Sequence, residues 1–166
     1  MSTPRSGATM GSHQLDDVDR GILHLLQEDA RNNSAADIAE EVGVAPNTVR
    51  NRIERLEDAG VIEGYHPHIN YEQAGYQLHV TFICTVPIAE RQSFAADALE
   101  IDGVIRVVEA LSGKDNLAVE AVGETTNDLT EVSTRLESIG CDITGERFTR
   151  STRVQPFDHF GVEVVE

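Results

Sequence analysis

Residues 34–62 constrain this chain most, because two short helical repeats of apolar residues flank a very tight turn there. Ser34 suits the N-cap of the first helix, and Gly43 can adopt the left-handed backbone that ends it. Pro46 suits the first position of the next helix, where a missing N–H costs nothing. A helix, a glycine turn and a proline-started helix in this order predict a helix-turn-helix that reads DNA.

The second helix of the pair should carry one buried stripe, because Val49, Ile53 and Leu56 repeat at i, i+4 and i+7. The uncharged polar and basic side chains of this helix are the candidate DNA-binding residues: Asn47, Thr48, Arg50, Asn51, Arg52 and Arg55. Asparagine suits adenine, arginine suits guanine, and a hydroxyl near a helix start suits phosphate. The alternative for the face is simple solvation, and for Arg52 an ion pair with Glu57 or with an acid of a neighbouring helix.

A third helical pattern precedes this pair. Asp16 can cap it, Asp17 and Asp19 suit its positive N-terminus, and apolar residues recur at helical spacing through residues 18–26. Together the three helices predict a DNA-binding domain over residues 14–62. The leader, residues 1–13, is rich in Ser, Thr and Gly and is expected to be disordered, with Met10 as an alternative start.

Two segments make a family resemblance specific: LDDVDRGILHLLQEDAR, and DIAEEVGVAPNTVRNRIERLEDAGVIEGY after it. They resemble the Lrp/AsnC family of feast/famine transcription regulators, and the resemblance covers most of the chain. It implies double-stranded DNA as a partner, a homodimer that can assemble into an octamer, and a small-molecule effector, an amino acid, bound between dimers. Family members usually carry Ser at the position of Ala45. Alanine is a poor N-cap for the second helix of the pair.

The formal charge of −16 is unusual for a protein that binds DNA, and Lys114 is the only lysine. Salt near 1 M shortens the screening length to about 3 Å, so an acidic surface would then hardly repel DNA. We therefore expect a halophilic, haloarchaeal source. The alternative is that the acidity serves solubility alone.

The second part of the chain alternates strand and helix patterns, in the order β-α-β-β-α-β of a ferredoxin-like sandwich. The strands are expected over residues 77–86, 104–111, 117–122 and 141–154, and the helices over 90–99 and 127–139. The predicted fold class is thus α+β: a three-helix helix-turn-helix domain, a connector (63–76), a sensing and dimerisation domain (77–154) and a tail (155–166).

Several packing expectations follow from this fold. Leu99 should point inward from the first sandwich helix. Helices cover only one face of the sheet, so Ile83 and Val107 should lie on the other face, where a second copy of the chain would bury them in a homodimer. The tail carries Phe157 and Phe160 and should lie on the sheet edge or on a neighbouring subunit.

The turn between the second and third strands is the candidate effector site. Family relatives often show a Gly-x-x-Asp turn there, and this chain reads Ser112, Gly113, Lys114, Asp115, one residue shorter. If an amino acid binds, backbone N–H groups around Gly113 would hold its carboxylate with Lys114, and Asp115 would hold its ammonium. The alternative is a plain hairpin turn in which Gly113 supplies a positive φ.

Other chemistry is sparse. Cys84 and Cys141 stand apart in the sequence and should be ordinary buried thiols. His66 and His68 would share one side of a strand, but no thiol or carboxylate cluster completes a metal site, so they are interpreted as exposed connector residues. No catalytic set, cofactor or metal site is predicted, and no apolar run approaches the length of a membrane span, so a cytoplasmic non-enzyme is expected.

Two other functions fit the same arrangement of domains. Some haem-biosynthesis decarboxylases resemble it, and such an enzyme would use His and Arg residues around a tetrapyrrole. An architectural protein that coats DNA without any effector is the other alternative. The regulator is favoured because it needs no catalytic residues.

Overall fold

The structure, a computed structural model, describes residues 14–111 and 113–160. The described residues form two compact units, one from residues 14–67 together with 153–160, the other within His68–Thr152. The predicted leader, its Met10, and Ser112 lie outside the described residues. Among the described residues, no helix is both long and apolar enough to span a membrane.

The first unit contains three helices, α1 (Asp17–Asp29), α2 (Ala35–Val42) and α3 (Pro46–Asp58). Asp16 and Ser34 cap the first two through reciprocal hydrogen bonds with the third helical residue, a capping box in each case. Gly43 ends α2 with a φ of 71°. The predicted helix-turn-helix is confirmed, including its proline start and the missing side-chain cap at Ala45.

Apolar residues from all three helices form the core of this unit: Ile22, Leu23, Leu25, Ile38, Ala39, Val49 and Leu56. The C-terminal segment adds to it. A short 3-10 turn, Asp158–Phe160, follows Phe157, and Phe160 packs against the core. The backbone N–H of Phe157 donates to Oε1 of Gln27 in α1 at 3.3 Å. The tail thus packs against the helix-turn-helix, and the prediction of a sheet-edge position is wrong.

The second unit contains β1 (Leu78–Thr85), α4 (Arg91–Leu99), β2 (Val104–Glu109), β3 (Leu117–Gly123), α5 (Thr126–Ser138) and β4 (Asp142–Phe148). The four strands form one antiparallel sheet in the order β2-β3-β1-β4. This is the predicted ferredoxin-like arrangement, and the α+β fold is confirmed.

One face of the sheet packs on the helices. Val80, Phe82 and Cys84 of β1 are buried there, as the alternating pattern predicted. Val107 also faces this core, opposite Val119, so its predicted position on the open face is wrong. A register shift between Val104 and Arg106 is the reason, because it breaks the strict alternation of β2.

Two other details differ from the prediction. Leu99 is 54% exposed, because Phe94, Ala95 and Ala98 already form the buried face of α4 and Leu99 lies one residue beyond it. The last strand ends at Phe148 and does not continue to residue 154. Its partner β1 begins at Leu78, so the strand has almost no further residue with which to pair.

Candidate nucleic-acid interface and effector hairpin

The first two turns of α3 expose a polar surface. Asn47, Arg50 and Asn51 are exposed, and Thr48 is half-buried. The Arg50 guanidinium donates to Oδ1 of Asn47 at 2.9 Å. Both residues are exposed, so this end of the helix offers amide and guanidinium donors of the kind that base edges accept.

The two later arginines of α3 are engaged within the protein. Arg52 donates to Asp16 at 2.5 Å and to Asp19 at 3.1 Å. Arg55 donates to both carboxylate oxygens of Asp19, at 3.1 and 3.0 Å. Among the alternatives weighed for Arg52, the structure shows the ion pair with an acid of a neighbouring helix, α1.

These ion pairs change the acidity of their members. The pKa of Asp16 lies below its usual value, chiefly because its carboxylate accepts the backbone N–H of Asp19 and then because it faces Arg52. The hydrogen bond that Arg52 donates to the Asp16 carboxylate raises the pKa of Arg52. Charge on both partners is therefore favoured where α1 meets α3.

Glu57 has a different partner from the one considered in the sequence. Its Oε1 accepts a hydrogen bond of 2.8 Å from the hydroxyl of Tyr65, just beyond α3. Partial burial, together with this bond and the charge of Glu57, raises the pKa of Tyr65 to about 12. The segment that leaves α3 is thus fastened to the last turn of the helix.

In the second unit, the candidate effector hairpin joins β2 to β3. Gly113 has a φ of 105°, which confirms the predicted positive φ. Lys114 is exposed, and Oδ1 of Asp115 accepts the hydroxyl of Thr144 in β4 at 2.7 Å. The hairpin therefore brings together Gly113, Lys114 and Asp115 and links them to β4, while Ser112 lies outside the described residues.

Asn116 is a residue at this hairpin that the sequence reasoning missed. Its side chain is buried, with Oδ1 accepting the Val86 N–H at 2.9 Å and Nδ2 donating to the Val86 carbonyl at 2.8 Å. The Asn116 side chain thus makes the two backbone hydrogen bonds that a neighbouring strand would otherwise make with Val86. Spacing offered a signal, since Asn116, not Asp115, is the fourth residue counted from Gly113 in a Gly-x-x-Asp pattern.

The open face of the sheet is more polar than predicted. On β3, Glu120 lies 3.4 Å from the Arg106 guanidinium and 3.8 Å from Nε2 of His79. Ile83 lies on this face, paired with Ala118, and so provides the apolar part. An association through this face would bury ionic groups as well as apolar area.

The remaining candidates are not brought together. His66 and His68 are exposed, and no group of three or more His, Cys, Asp or Glu side chains able to hold a metal occurs in the described part of the chain. Cys84 and Cys141, distant in sequence, are buried neighbours in the core of the second unit. The interaction with Cys141, and then burial, raises the pKa of Cys84, so its thiol stays protonated.

The first unit is similar to known DNA-binding domains. A winged helix-turn-helix DNA-binding profile matches residues 15–63. An uncharacterised HTH-type transcriptional regulator of Pyrococcus furiosus is 51% identical over 65 residues, 39% of this chain and 43% of that protein. The chain therefore spans less than half the length of this relative.

Longer matches extend over both units. The HTH-type transcriptional regulator AldR of Mycobacterium tuberculosis is 32% identical over 136 residues, 80% of this chain and 74% of AldR. Its crystal structure matches with a TM-score of 0.71 and 28% identity, over 86% of this chain and 99% of that one. A transcriptional regulator of Neisseria meningitidis, solved with L-Met, has a TM-score of 0.71 and 24% identity, over 86% of this chain and 94% of its own, and so shares the fold.

Proposed function

Because the chain belongs to the Lrp/AsnC family of HTH-type transcriptional regulators, we propose that α3 reads operator DNA through its first two turns. The observation that carries this proposal is the exposed set Asn47, Arg50 and Asn51 on a helix whose other side is locked into the core by Val49. Such a helix can enter a major groove without disturbing its own packing.

Arg50 is the residue of α3 best suited to read a base. Asn47 holds its guanidinium at 2.9 Å, so part of its side-chain freedom is already lost before DNA arrives. The free donors of Arg50 fit the O6 and N7 acceptors of guanine. Asn51 fits adenine, and Thr48 fits a phosphate close to the helix start.

The test is footprinting of the protein on its own promoter region in near-saturated KCl, with Arg50→Ala against wild type. Loss of Arg50 should weaken protection by about fivefold or more, since a bidentate base contact supplies roughly 1–3 kcal/mol. Arg135→Ala is the matched control, because Arg135 pairs only with Glu131 of its own helix among the described residues. Equal protection by Arg50→Ala and Arg135→Ala would remove the recognition-helix assignment.

We propose that the active species is a homodimer, and by further association an octamer. Dimers place two recognition helices in successive major grooves about 34–36 Å apart, which doubles the contacts available to an acidic chain. The open sheet face, with Ile83 beside the Arg106–Glu120 pair, supports this proposal. Sedimentation equilibrium at high salt gives the mass directly, and a monomer at all concentrations would refute the dimer.

We propose that the hairpin around Gly113 senses an amino acid. The support is the exposed Lys114 beside Asp115, and a structural neighbour solved with L-Met. Lys114 would bind the carboxylate and Asp115 the ammonium, for which Asp115 must share its oxygens with Thr144.

Calorimetry with a panel of amino acids that includes L-Met tests the sensor. Asp115→Ala should abolish the heat of binding, whereas Asp102→Ala, an exposed acid in another turn, should leave it unchanged. No heat with any amino acid, or full binding by Asp115→Ala, would contradict the assignment. Footprints that ignore the bound amino acid would favour an architectural role instead.

The last part of the proposal concerns the source of the protein, its location and its lack of a catalytic role. We propose a halophilic, haloarchaeal source, a cytoplasmic location beside the chromosome, and no catalytic role. The net charge of −16 supports the first point, since screening by molar salt removes the repulsion between the surface and DNA. DNA binding that vanishes as KCl rises from 0.2 to about 3 M would refute it. A Soret-type shift with haem or sirohaem would refute the last point.

A further inference from the structure

Asp19 in α1 is an unusual residue in the first unit. Its side chain is only 1% exposed, and it is a carboxylate inside a core that is otherwise apolar. A buried charge is tolerated only when it is paired and its oxygens are hydrogen-bonded. The partners of Asp19 therefore matter more than those of a surface acid.

Every neighbour that satisfies Asp19 belongs either to the start of α1 or to α3. Oδ1 accepts from Arg52 and from Arg55, each at 3.1 Å. Oδ2 accepts from Arg55 at 3.0 Å and from the backbone N–H of Asp16 at 3.2 Å. Asp16 in turn accepts from Arg52 at 2.5 Å. The capping box of α1 is thus also the anchor of α3.

This anchor divides α3 into two halves. Asn47, Arg50 and Asn51 make no hydrogen bond to another helix among the described residues, whereas Arg52 and Arg55 are fixed to α1. Turning either later arginine toward a base edge would leave a buried carboxylate underpaired. The side chains remain 26% and 48% exposed, so their remaining donors can still touch phosphate.

Resting on the proposed function, we propose that Asp19 is a positioning residue for DNA recognition: it holds Arg52 and Arg55 at phosphate positions, and leaves base reading to the first half of α3. Without its charge, the two arginines would lose their anchor. They would then be free to bind any DNA backbone, and the helix would lose its fixed angle in the groove. Specificity, more than overall affinity, should suffer.

Asp19→Asn tests this, because the amide keeps the size of the side chain but offers only one acceptor oxygen and presents a donor to the guanidinium groups. Asp17→Asn is the matched control: it removes the same charge two residues away, from an exposed residue. The probe is a duplex selected by the wild-type protein, compared by fluorescence anisotropy with a scrambled duplex of equal length and composition.

We expect Asp19→Asn to lower the selected-to-scrambled affinity ratio about tenfold or more, with binding to the scrambled duplex equal or tighter. Asp17→Asn should keep the ratio within twofold of wild type. Equal ratios for the two variants would overturn the proposal. A wild-type protein that selects no preferred duplex would instead defeat the proposed function, so the two failures are distinguishable.

A second variant keeps the test decisive if Asp19→Asn unfolds. Arg55→Gln removes an exposed arginine that, on this proposal, contacts the DNA only at phosphate, while Arg52 and the Asp16 N–H remain as partners of Asp19. It should weaken selected and scrambled duplexes by the same factor and leave the preferred sequence unchanged when the selection is repeated. A relaxed preference at one base pair would show that Arg55 reads a base, and would overturn the division of α3.

Discussion

The start of α3 offers a sharp prediction, because its cap is missing. Ala45 has the extended backbone of an N-cap, with φ −75° and ψ 148°, but no side-chain hydrogen bond. The N–H groups of Asn47 and Thr48 lie within reach of such a cap, and only that of Thr48 has a backbone bond, to the Ala45 carbonyl at 2.9 Å. Ala45→Ser should therefore stabilise the helix.

The gain can be bounded from the other caps of the chain. At Ser34 and Thr125 the cap accepts from the third helical residue, and an aspartate there returns a bond to the cap. The third residue of α3 is Thr48, which has no carboxylate to return. We expect about 0.5–1 kcal/mol, the lower half of the usual range for an N-cap. For a unit of this size that corresponds to roughly 2–8 °C in Tm.

Thermal unfolding followed by circular dichroism measures this gain, and amide hydrogen exchange at Asn47 and Thr48 locates it. Ala59→Ser is the matched control: it adds the same hydroxyl at the other end of α3, where the backbone N–H already donates to Arg55. An equal effect of the two substitutions would refute the capping argument. A destabilising Ala45→Ser would show that the hydroxyl bonds elsewhere.

Three further predictions concern other contacts. Burial and the bond to Glu57 raise the pKa of Tyr65 to about 12 in the folded state, above its ordinary value of 10, so the stability linked to the neutral phenol is full below pH 10 and is lost as pH rises through 12. Absorbance at 295 nm follows this ionisation, and Glu57→Gln should lower the pKa of Tyr65. Phe160→Ala should destabilise the first unit by about 1–2 kcal/mol in urea unfolding, less than for a fully buried ring, because Phe160 is half-buried; an unchanged midpoint would show that the tail contributes nothing. Cys84 and Cys141 should resist Ellman's reagent until the protein is unfolded, and rapid labelling of the native protein would contradict their burial.

Local patterns were sufficient to predict the elements of this fold. Gly43 and Pro46 restrict the backbone by their own chemistry, so the turn between α2 and α3 follows from two residues. The alternation of β1 likewise reports burial residue by residue. The turn and the burial pattern each depend on residues only a few positions apart, so both can be predicted from the local sequence.

Features that depend on distant partners were not predictable in the same way. The ion pair between Arg55 and Asp19 joins residues 36 positions apart, and the spacing of α3 does not show that an acid of α1 lies beside Arg55. Helical periodicity gives the direction of each side chain, but it does not show which charged residue of another helix lies next to it. The sequence likewise does not predict that Cys84 and Cys141 are neighbours, because the pairing of β1 with β4 brings them together.

The docking of the C-terminal segment on α1 has a consequence for biosynthesis. The hydrogen bond from Phe157 to Gln27 spans 130 positions, so the chain between them must be synthesised before the first unit can complete its core. A ribosome-bound chain that ends before residue 157 therefore carries a helix-turn-helix with part of its apolar surface uncovered. The same contact matters for the design of chimeras: a DNA-binding unit transferred to another protein should include residues 157–160 as well as the three helices.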